Sequence, residues 1–299
     1  MVNFMRYKSF FFLLSAAVLV PGVISLLLFG LKPSIDFTGG TLWEIEVTSD
    51  QKSETSEEIR EVFEERGLTA EVQESGEGGF IIKTQPLGVG ERQELASAIS
   101  SKVGPFEEVR FETLGPRLGG ELLRKALTAV VIAIVAILLY VAYRFRNFAY
   151  GAVAILAMFH DTLVLLGVFS LLGYFFNVEV GTLFVTAVLT TLSFSVHDTI
   201  VVFDRIREIR RKTNLAFGEA VNQAVGETLV RSINNSLTII FMLAALFALG
   251  GETLRFFVLA LLVGTISGTY SSTFNAAPLL VVWESAARRF NFGGILRLR

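Results

Sequence analysis

The sequence predicts an α-helical polytopic membrane protein with six transmembrane helices and one small α+β domain on the external side of the membrane. Hydrophobic residues make up 52% of the 299 positions and charged residues only 18%, a balance outside the usual range of soluble domains. Apolar segments long enough to cross a bilayer recur along the chain, and a long acidic segment follows the first of them. The sequence contains no cysteine, which excludes a disulfide framework, a thiol nucleophile and a cysteine-ligated metal.

The apolar segments define the six predicted spans. They cover residues 9–31, 122–143, 148–172, 179–203, 229–249 and 254–283. The first span follows Arg6 and Lys8, is longer than the core of a signal peptide and lacks a small-x-small cleavage site, so we expect an uncleaved anchor. The chain then divides into the N-terminus with the first span (1–32), an external domain (33–120) and a bundle of the remaining spans (121–299).

Basic residues near the span ends predict the orientation, because Lys and Arg in short segments stay on the cytoplasmic side. One side of the six-span alternation collects Arg6, Lys8, Arg144, Arg146, Arg205, Arg207, Arg210, Arg211, Lys212, Arg288, Arg289, Arg297 and Arg299. Arg124 and Lys125 lie on the opposite side, but they adjoin a long acidic domain, which translocates largely regardless of local charge. We therefore expect both termini in the cytoplasm.

The external segment holds 18 of the 28 acidic residues and 8 of the 26 basic ones. Its pattern predicts strand, helix, strand, strand, helix and strand at 41–48, 55–66, 69–75, 79–85, 91–103 and 106–113. Thr55 and Glu58 suggest a capping box at the start of the first helix, and Gly76, Gly78 and Gly79 offer a turn between the two middle strands. This order of elements is ferredoxin-like.

A further short helix is predicted between spans four and five. Apolar residues recur there at helical spacing, at Leu215, Phe217, Ala220, Val221, Ala224 and Val225. Such a helix lies either in the membrane interface or, as an ordinary loop helix, on the bundle. The sequence leaves both arrangements open.

Ionisable residues inside the spans are the candidate functional residues. An ionisable residue within a span costs about 2.5–3.5 kcal/mol on insertion scales, so it usually faces protein or water and has a partner. Span three contains His160 and Asp161, span four contains His197 and Asp198, and span five contains Arg231. Neither His–Asp pair has a further ligand at metal-binding spacing, so we predict no metal site and no cofactor.

Asp198 and Arg231 are predicted to lie at similar depth. Asp198 is 17 residues past Gly181 and Arg231 is 19 before Gly250, which places them roughly 26 and 28 Å from the external side at about 1.5 Å per residue. An ion pair between them is therefore geometrically reasonable. Polar residues continue each face at helical spacing, namely Thr191 and Ser195 in span four and Asn234, Asn235 and Thr238 in span five.

Two such stripes could bury each other's polar groups and form a hydrated track with a titratable carboxylate. Two blander interpretations stay open: polar residues that only hold helices together, and a permanent ion pair without a transport role. Asp161 has only His160 as a local partner, so it is either structural or part of the same relay. Span six carries small and polar residues on one side, which predicts a packing face: Gly264, Gly268, Ser271, Ser272 and Asn275.

Four segments resemble signatures of the SecD/SecF family of protein-export membrane proteins, in the resistance, nodulation and division superfamily. They are SIDFTGGT at 34–41, VHDTIVVFDRIRE at 196–208, SINNSLT at 232–238 and GTYSSTFNAAPLL at 268–280. Their order and spacing extend the resemblance over essentially the whole chain.

The resemblance implies one half of a two-half assembly, each half having six spans and an external domain after the first span. It implies a SecD-type subunit as the other half, the SecYEG channel and, indirectly, the SecA motor as partners, an unfolded preprotein as substrate, and the bacterial inner membrane as location. Such assemblies use the proton-motive force in late-stage translocation. No prosthetic group and no nucleic-acid partner are implied.

Carried over to this chain, the family's intramembrane acid falls on Asp198 and its basic partner on Arg231. His197 stands where asparagine is usual, so either His197 or Asp198 could carry the proton, and Asp161 could join the relay. In the signature after the first span, Asp36 with Gly39 and Gly40 is expected to organise a hinge.

Two other functions compete with this interpretation. An intramembrane aspartyl protease could use Asp161 and Asp198 as a carboxylate pair, although no Gly-x-Gly-Asp segment is present. A half-size small-molecule exporter of the same superfamily is the second, but an external domain of this size is small for collecting lipophilic substrates.

Overall fold

The computed structural model describes residues 3–47, 52–75, 78–145 and 147–289. The chain forms two compact units, one of residues 1–32 with 128–299 and one of residues 33–127. In chain order the elements are α1 (Lys8–Phe29), α2 (Ile35–Thr38), β1 (Gly40–Val47), α3 (Lys52–Glu64), β2 (Ala70–Ser75), β3 (Gly79–Thr84), α4 (Val89–Val103), β4 (Phe106–Leu114), α5 (Pro116–Phe145), α6 (Phe148–Phe176), α7 (Thr182–Lys212), α8 (Phe217–Leu249), α9 (Glu252–Ser271) and α10 (Ala277–Arg289).

Six of the described helical segments are long and apolar enough to cross a membrane, which confirms the predicted spans. A 3₁₀ turn (Phe4–Tyr7) leads into α1, and a π-helical segment (Ser272–Ala276) joins α9 to α10 within the sixth span. Helices α6 and α7 extend beyond their predicted ends, to Phe176 and Lys212. The extension of α7 is highly charged, so hydropathy alone does not detect it, whereas α6 continues through the aromatic residues Tyr174, Phe175 and Phe176.

The short helix expected between spans four and five is the beginning of α8, which runs unbroken from Phe217 to Leu249. Its apolar residues are buried in the core of the membrane unit, among them Phe217, Ala220 and Val225. The prediction of a separate interfacial helix is therefore wrong, and packing on the bundle is correct. No proline interrupts this stretch, so the helix continues directly into the span.

Helix α5 is anchored to the membrane unit at its C-terminal end. Val141 and Phe145 are buried, whereas most of the apolar surface of the helix is exposed. The Phe145 ring packs against Tyr150 and Phe203 at centroid distances of 5.8 and 5.6 Å, and Arg144 forms an ion pair with Asp204. Aromatic packing and an ion pair thus fix one end of this span.

The second unit contains a four-stranded antiparallel sheet in the order β2-β3-β1-β4, with a helix after β1 and another after β3. This arrangement confirms the ferredoxin-like prediction. Helices and sheet share an apolar core that includes Trp43, Ile45, Phe63, Phe80 and Ile99.

Two details of the predicted domain differ from the structure or lie outside it. Helix α3 begins at Lys52, so Thr55 lies within the helix and does not cap it. Gly78 has a φ of +80° and accepts a hydrogen bond from the Val47 N–H at 2.8 Å, a conformation that suits glycine. Some residues named in the predictions lie outside the described residues. They are residue 48 of the first strand, Gly76 of the turn, and Arg146, Arg297 and Arg299 of the basic set.

Candidate functional site

Asp161 lies at the centre of a buried polar cluster in the membrane unit. Its side chain is only 4% exposed. Three hydroxyl groups donate to its carboxylate: Ser195 on α7 at 2.6 Å, Ser267 on α9 at 2.7 Å and Ser271 on α9 at 2.6 Å. His160 Nδ1 lies 3.0 Å from Asp161 Oδ1. An ionised carboxylate only accepts hydrogen bonds, so this set of donors matches the ionised form.

The other ring nitrogen of His160 extends the cluster to two more elements. His160 Nε2 is in hydrogen-bond contact with Ser15 Oγ on α1. Asn275 Nδ2 donates to Ser15 Oγ at 2.8 Å and lies 3.3 Å from His160 Nε2. Asn275 belongs to the π-helical segment of the sixth span, and π-helical turns occur frequently at functional sites. We call the set Ser15, His160, Asp161, Ser195, Ser267, Ser271 and Asn275 the His160–Asp161 cluster.

A regular seam between α1 and α6 positions Ser15 opposite His160. Contacting residues of the two helices are 145 positions apart in successive pairs, Ser15 with His160 and Ser25 with Ser170, whose hydroxyls are 2.8 Å apart. Gly22 meets Gly167 at the same offset, with their backbones in direct contact. A constant offset means that the helices run parallel, and small residues let them approach closely.

Small residues of the sixth span place its serines beside α7. A Cβ on Gly264 would lie 2.0 Å from Thr191 Cγ2, and one on Gly268 would lie 3.4 Å from Ser195 Cα. The predicted packing face of this span therefore does pack closely on α7. Ser271 and Asn275, from the same predicted face, also supply polar groups to the cluster.

Asp198 lies one helical turn beyond Ser195 on α7 and is 6% exposed. Its carboxylate accepts a hydrogen bond from Ser232 Oγ on α8 at 3.4 Å. Arg231 is exposed, and within the described residues no hydrogen bond or ion pair joins it to Asp198. The predicted ion pair is thus not formed in this structure. Ser232 faces α7, and Arg231, one position earlier, points away because successive helical residues differ by about 100°.

The expectation that two polar stripes face each other is met on one side only. Thr191, Ser195 and Asp198 on α7 are buried as predicted. The residues of the predicted α8 stripe, Asn234, Asn235 and Thr238, are exposed in the isolated chain. His197, which precedes Asp198 on α7, is exposed as well. The α8 residue buried here is Ser236, which accepts a hydrogen bond from Thr269 on α9 at 2.6 Å.

Sequence reasoning identified Asp161 and His160, but it assigned Ser195 and Ser271 to other roles and did not single out Ser267. Single serines in a span carry little signal, because they commonly join helices. Ser267, Ser271 and Asn275 are spaced i, i+4, i+8 and so lie along one side of a helix. This spacing is the signal that could have identified them as a polar row. The row is offset by one residue from Gly268 in the same span.

Charged residues at the C-terminal end of α7 link neighbouring helices. Asp204 forms an ion pair with Arg144 of α5. Arg205 forms ion pairs with Glu208 on the same helix and with Glu227 of α8. The second half of the VHDTIVVFDRIRE segment therefore connects three helices.

The glycine pair after the first span lies at a tight backbone crossing in the second unit. Gly39 and Gly40 have φ of +74° and +134°, values that favour glycine. A Cβ on Gly39 would lie 2.8 Å from Pro116 Cα, and one on Gly40 would lie 3.0 Å from the Thr84 carbonyl oxygen. Asp36 lies in the short helix α2, where its N–H donates to Ser34 Oγ at 3.3 Å.

Comparison with known proteins finds one group of similar chains. Residues 95–286 match the family model of the C-terminal region of the protein export membrane proteins SecD and SecF, and residues 24–51 match the SecD/SecF GG motif. Protein translocase subunit SecF of Thermobaculum terrenum is 44% identical, with 95% of each chain covered. SecF of Anaerolinea thermophila is 40% identical over 97% of this chain and 96% of its own.

Some similar chains are longer than this one. Protein translocase subunit SecDF of Thermus thermophilus is 38% identical over 95% of this chain, which spans 38% of that protein. A crystal structure of SecDF from the same organism, described as a translocon-associated membrane protein, superposes with a TM-score of 0.84 at 35% identity. The superposition covers 95% of this chain and 39% of the SecDF chain.

Proposed function

Because the chain belongs to the SecD/SecF family of protein-export membrane proteins, we propose that it promotes the late stage of preprotein translocation across the bacterial inner membrane, driven by the proton-motive force. The observation that carries this proposal is a pair of buried carboxylates within a six-span bundle. Asp161 on α6 accepts a hydrogen bond from Ser195 on α7, and Asp198 lies one helical turn past Ser195. Carboxylates inside membrane spans mark ion pathways and proton relays.

A SecD-type subunit is the partner in this proposal. In Thermus thermophilus and Bacillus subtilis, a chain similar to this one is part of a longer SecDF subunit. The exposed polar face of α8, with Arg231, Asn234, Asn235 and Thr238, also requires a cover other than lipid tails, because polar groups in the hydrocarbon region are costly. A second six-span half would supply it.

The remaining partners follow from the proposed orientation. Basic residues near the span ends keep both termini in the cytoplasm and place the ferredoxin-like domain outside. There the domain is positioned to meet an unfolded preprotein that leaves the SecYEG channel, while SecA acts indirectly from the cytoplasmic side. Asp36, Gly39 and Gly40 form the hinge segment of this domain.

The proton step is assigned to the carboxylate of Asp198, with Arg231 and His197 beside it at the face that meets the partner subunit. A charge that crosses the membrane potential is worth about 2.3 kcal/mol per 100 mV, enough to bias a bundle with two conformations. Helix α7 links Asp198 to Ser195, which donates to Asp161. A change at Asp198 therefore reaches the His160–Asp161 cluster through one helical turn.

The hydrogen bonds argue against the aspartyl protease alternative. A protease of that kind needs two carboxylates that share a proton. Asp161 instead accepts hydrogen bonds from three serines, and Asp198 accepts one from Ser232.

The test is preprotein translocation into vesicles that contain the reconstituted export complex, with and without an imposed proton gradient. We expect the gradient to accelerate transport by the native chain and not by the Asp198→Asn variant, with assembly unchanged. Asp204→Asn is the matched control, because it makes the same change on the same helix at the Arg144 ion pair. A full gradient response in Asp198→Asn would make Asp198 structural.

A further inference from the structure

The amide group of Asn275 has one buried atom without a partner. Asn275 is 4% exposed, and its Oδ1 has no hydrogen-bond partner among the described residues. Its Nδ2 donates to Ser15 Oγ and lies 3.3 Å from His160 Nε2. A buried acceptor left unpaired is uncommon and costly. A half-turn of the amide would exchange Oδ1 with Nδ2 and bring the oxygen beside His160 Nε2, where it accepts a hydrogen bond in a second state of the cluster.

The hydrogen bonds show where a proton can and cannot bind. Each carboxylate oxygen of Asp161 already has two neighbours, Ser267 and His160 at Oδ1 and Ser195 and Ser271 at Oδ2. A proton on Asp161 would have to displace one of these donors. With Nδ1–H directed at Asp161, the basic atom of the neutral His160 ring is Nε2.

We propose that His160 Nε2, and not the Asp161 carboxylate, takes up the proton in this cluster, and that the Asn275 amide turns over to accept the resulting N–H at Oδ1. As the N–H bond forms at Nε2, an O–H bond of the hydronium ion that delivers the proton breaks and leaves water. The Ser15 hydroxyl, which serves Nε2 as a donor in the neutral state, turns its hydrogen away. Asp161 remains ionised and balances the charge of the imidazolium, as a carboxylate beside a histidine can.

In the part of the chain that the structure describes, one carboxylate, that of Asp161, is in direct contact with His160. Its own helix supplies Asp161, α1 supplies Ser15, and the sixth span supplies Asn275. Beyond these contacts, Asp198 lies one turn past Ser195 on α7, and the Tyr270 hydroxyl of α9 donates to the Phe11 carbonyl oxygen at 2.7 Å. The charge on Asp161 therefore dominates the field at the ring.

Turning the amide would change two contacts between helices. The Nδ2 group leaves Ser15 on α1 and His160 Nε2 on α6, and the residue that moves belongs to the π-helical segment of the sixth span. Such segments occur frequently at functional sites. Proton uptake at His160 thus acts on the contact between the first and the sixth span. The inference deepens the proposed function, since it assigns a second proton-binding atom to the same bundle.

The experiment uses the fact that the sequence contains two histidines. The full chain with ¹⁵N-labelled histidine and the His197→Gln substitution carries one labelled ring, that of His160. In lipid nanodiscs, nitrogen NMR then separates the neutral ring from the imidazolium at each pH. We expect the ring to be protonated at Nδ1 alone at high pH and at both nitrogens at low pH.

Substitutions of Asn275 test the acceptor. At the pH where half of the rings are imidazolium in the His197→Gln background, Asn275→Leu should lower the ratio of imidazolium to neutral ring about tenfold, because the charged N–H loses its acceptor. Asn275→Asp keeps an acceptor oxygen and should retain or increase the imidazolium. An unchanged ratio in Asn275→Leu would overturn the amide step.

A second label locates the proton directly. If the ¹³C carboxyl signal of Asp161 changes with pH while the His160 ring stays neutral, the assignment to His160 is wrong. Neither readout depends on preprotein transport. A failed transport assay and a failed titration are therefore separate results.

Discussion

Replacing Gly167 with alanine tests how closely α1 and α6 must approach. A Cβ on Gly167 would lie 2.5 Å from Gly22 Cα, a backbone atom that no rotamer change can move. Ordinary contact begins at 3.4 Å, so the helices would have to separate by about 0.9 Å, the difference between these distances. Overpacking of this kind costs about 1–3 kcal/mol.

The same separation acts on the polar pairs of the seam. The hydroxyls of Ser25 and Ser170, now 2.8 Å apart, would move to about 3.7 Å, beyond hydrogen-bonding distance, with a further loss of about 0.5–1.5 kcal/mol. Ser15 would withdraw from His160 in the same direction. We therefore expect a total loss of about 1.5–4.5 kcal/mol in the free energy of unfolding.

Equilibrium unfolding of the full chain in mixed micelles, followed by circular dichroism, measures this loss. Gly226→Ala is the matched control, because Gly226 lies within α8 with nothing within 4 Å of an added Cβ. That control should be neutral or up to about 1 kcal/mol more stable. If Gly167→Ala unfolds at the same denaturant concentration as the control, the close seam is not a determinant of stability.

Two further predictions concern the ferredoxin-like domain. Gly39→Ala should destabilise it by about 1–3 kcal/mol, because the residue has a φ of +74° and an added Cβ would meet Pro116. Hydrogen exchange in β1 and β4 measures the effect. The control Gly90→Ala, at a position with open space around it, should leave exchange unchanged. The hydrogen bond to Glu61 raises the pKa of Lys102 above 10.5, so the stability from this contact is present below pH 10.5 and is lost as the pH rises through the raised value. Lys102→Met should abolish that alkaline loss in a pH series of thermal unfolding; an identical alkaline loss in the variant would contradict the assignment.

The ferredoxin-like domain could be predicted almost to the residue, because it folds in water. On β3, for example, Phe80, Ile82 and Thr84 are buried and the residues between them are half-buried. Gly78 stands before this strand and Gly79 is its first residue. The start of α3 was misplaced because Thr55 and Glu58 have the spacing of a cap without being one. A helix beginning three residues earlier satisfies the same apolar stripe.

Within the membrane, hydropathy predicted the spans but not which faces meet. Depth follows from helix rise, and the contact between Asp198 and Ser232 agrees with similar levels for Asp198 and Arg231. Contact depends on rotation about the helix axis, and there Ser232 replaces Arg231 as the neighbour of Asp198. Lipid-facing and protein-facing surfaces are both apolar, so the hydrophobic pattern that fixes rotation in a soluble helix is weak here.

The two candidate sites differ in whether this chain alone completes them. The His160–Asp161 cluster draws its partners from α1, α6, α7 and the sixth span, so its hydrogen bonds are largely satisfied within one subunit. Among the described residues, Asp198 has a single weak donor, and the polar residues around it face outward. A site that is complete in one chain can hold a fixed charge, whereas an incomplete one depends on the partner for its environment. Since α7 joins the two over one turn, assembly with a second half would be the event that connects the inner cluster to the proton path.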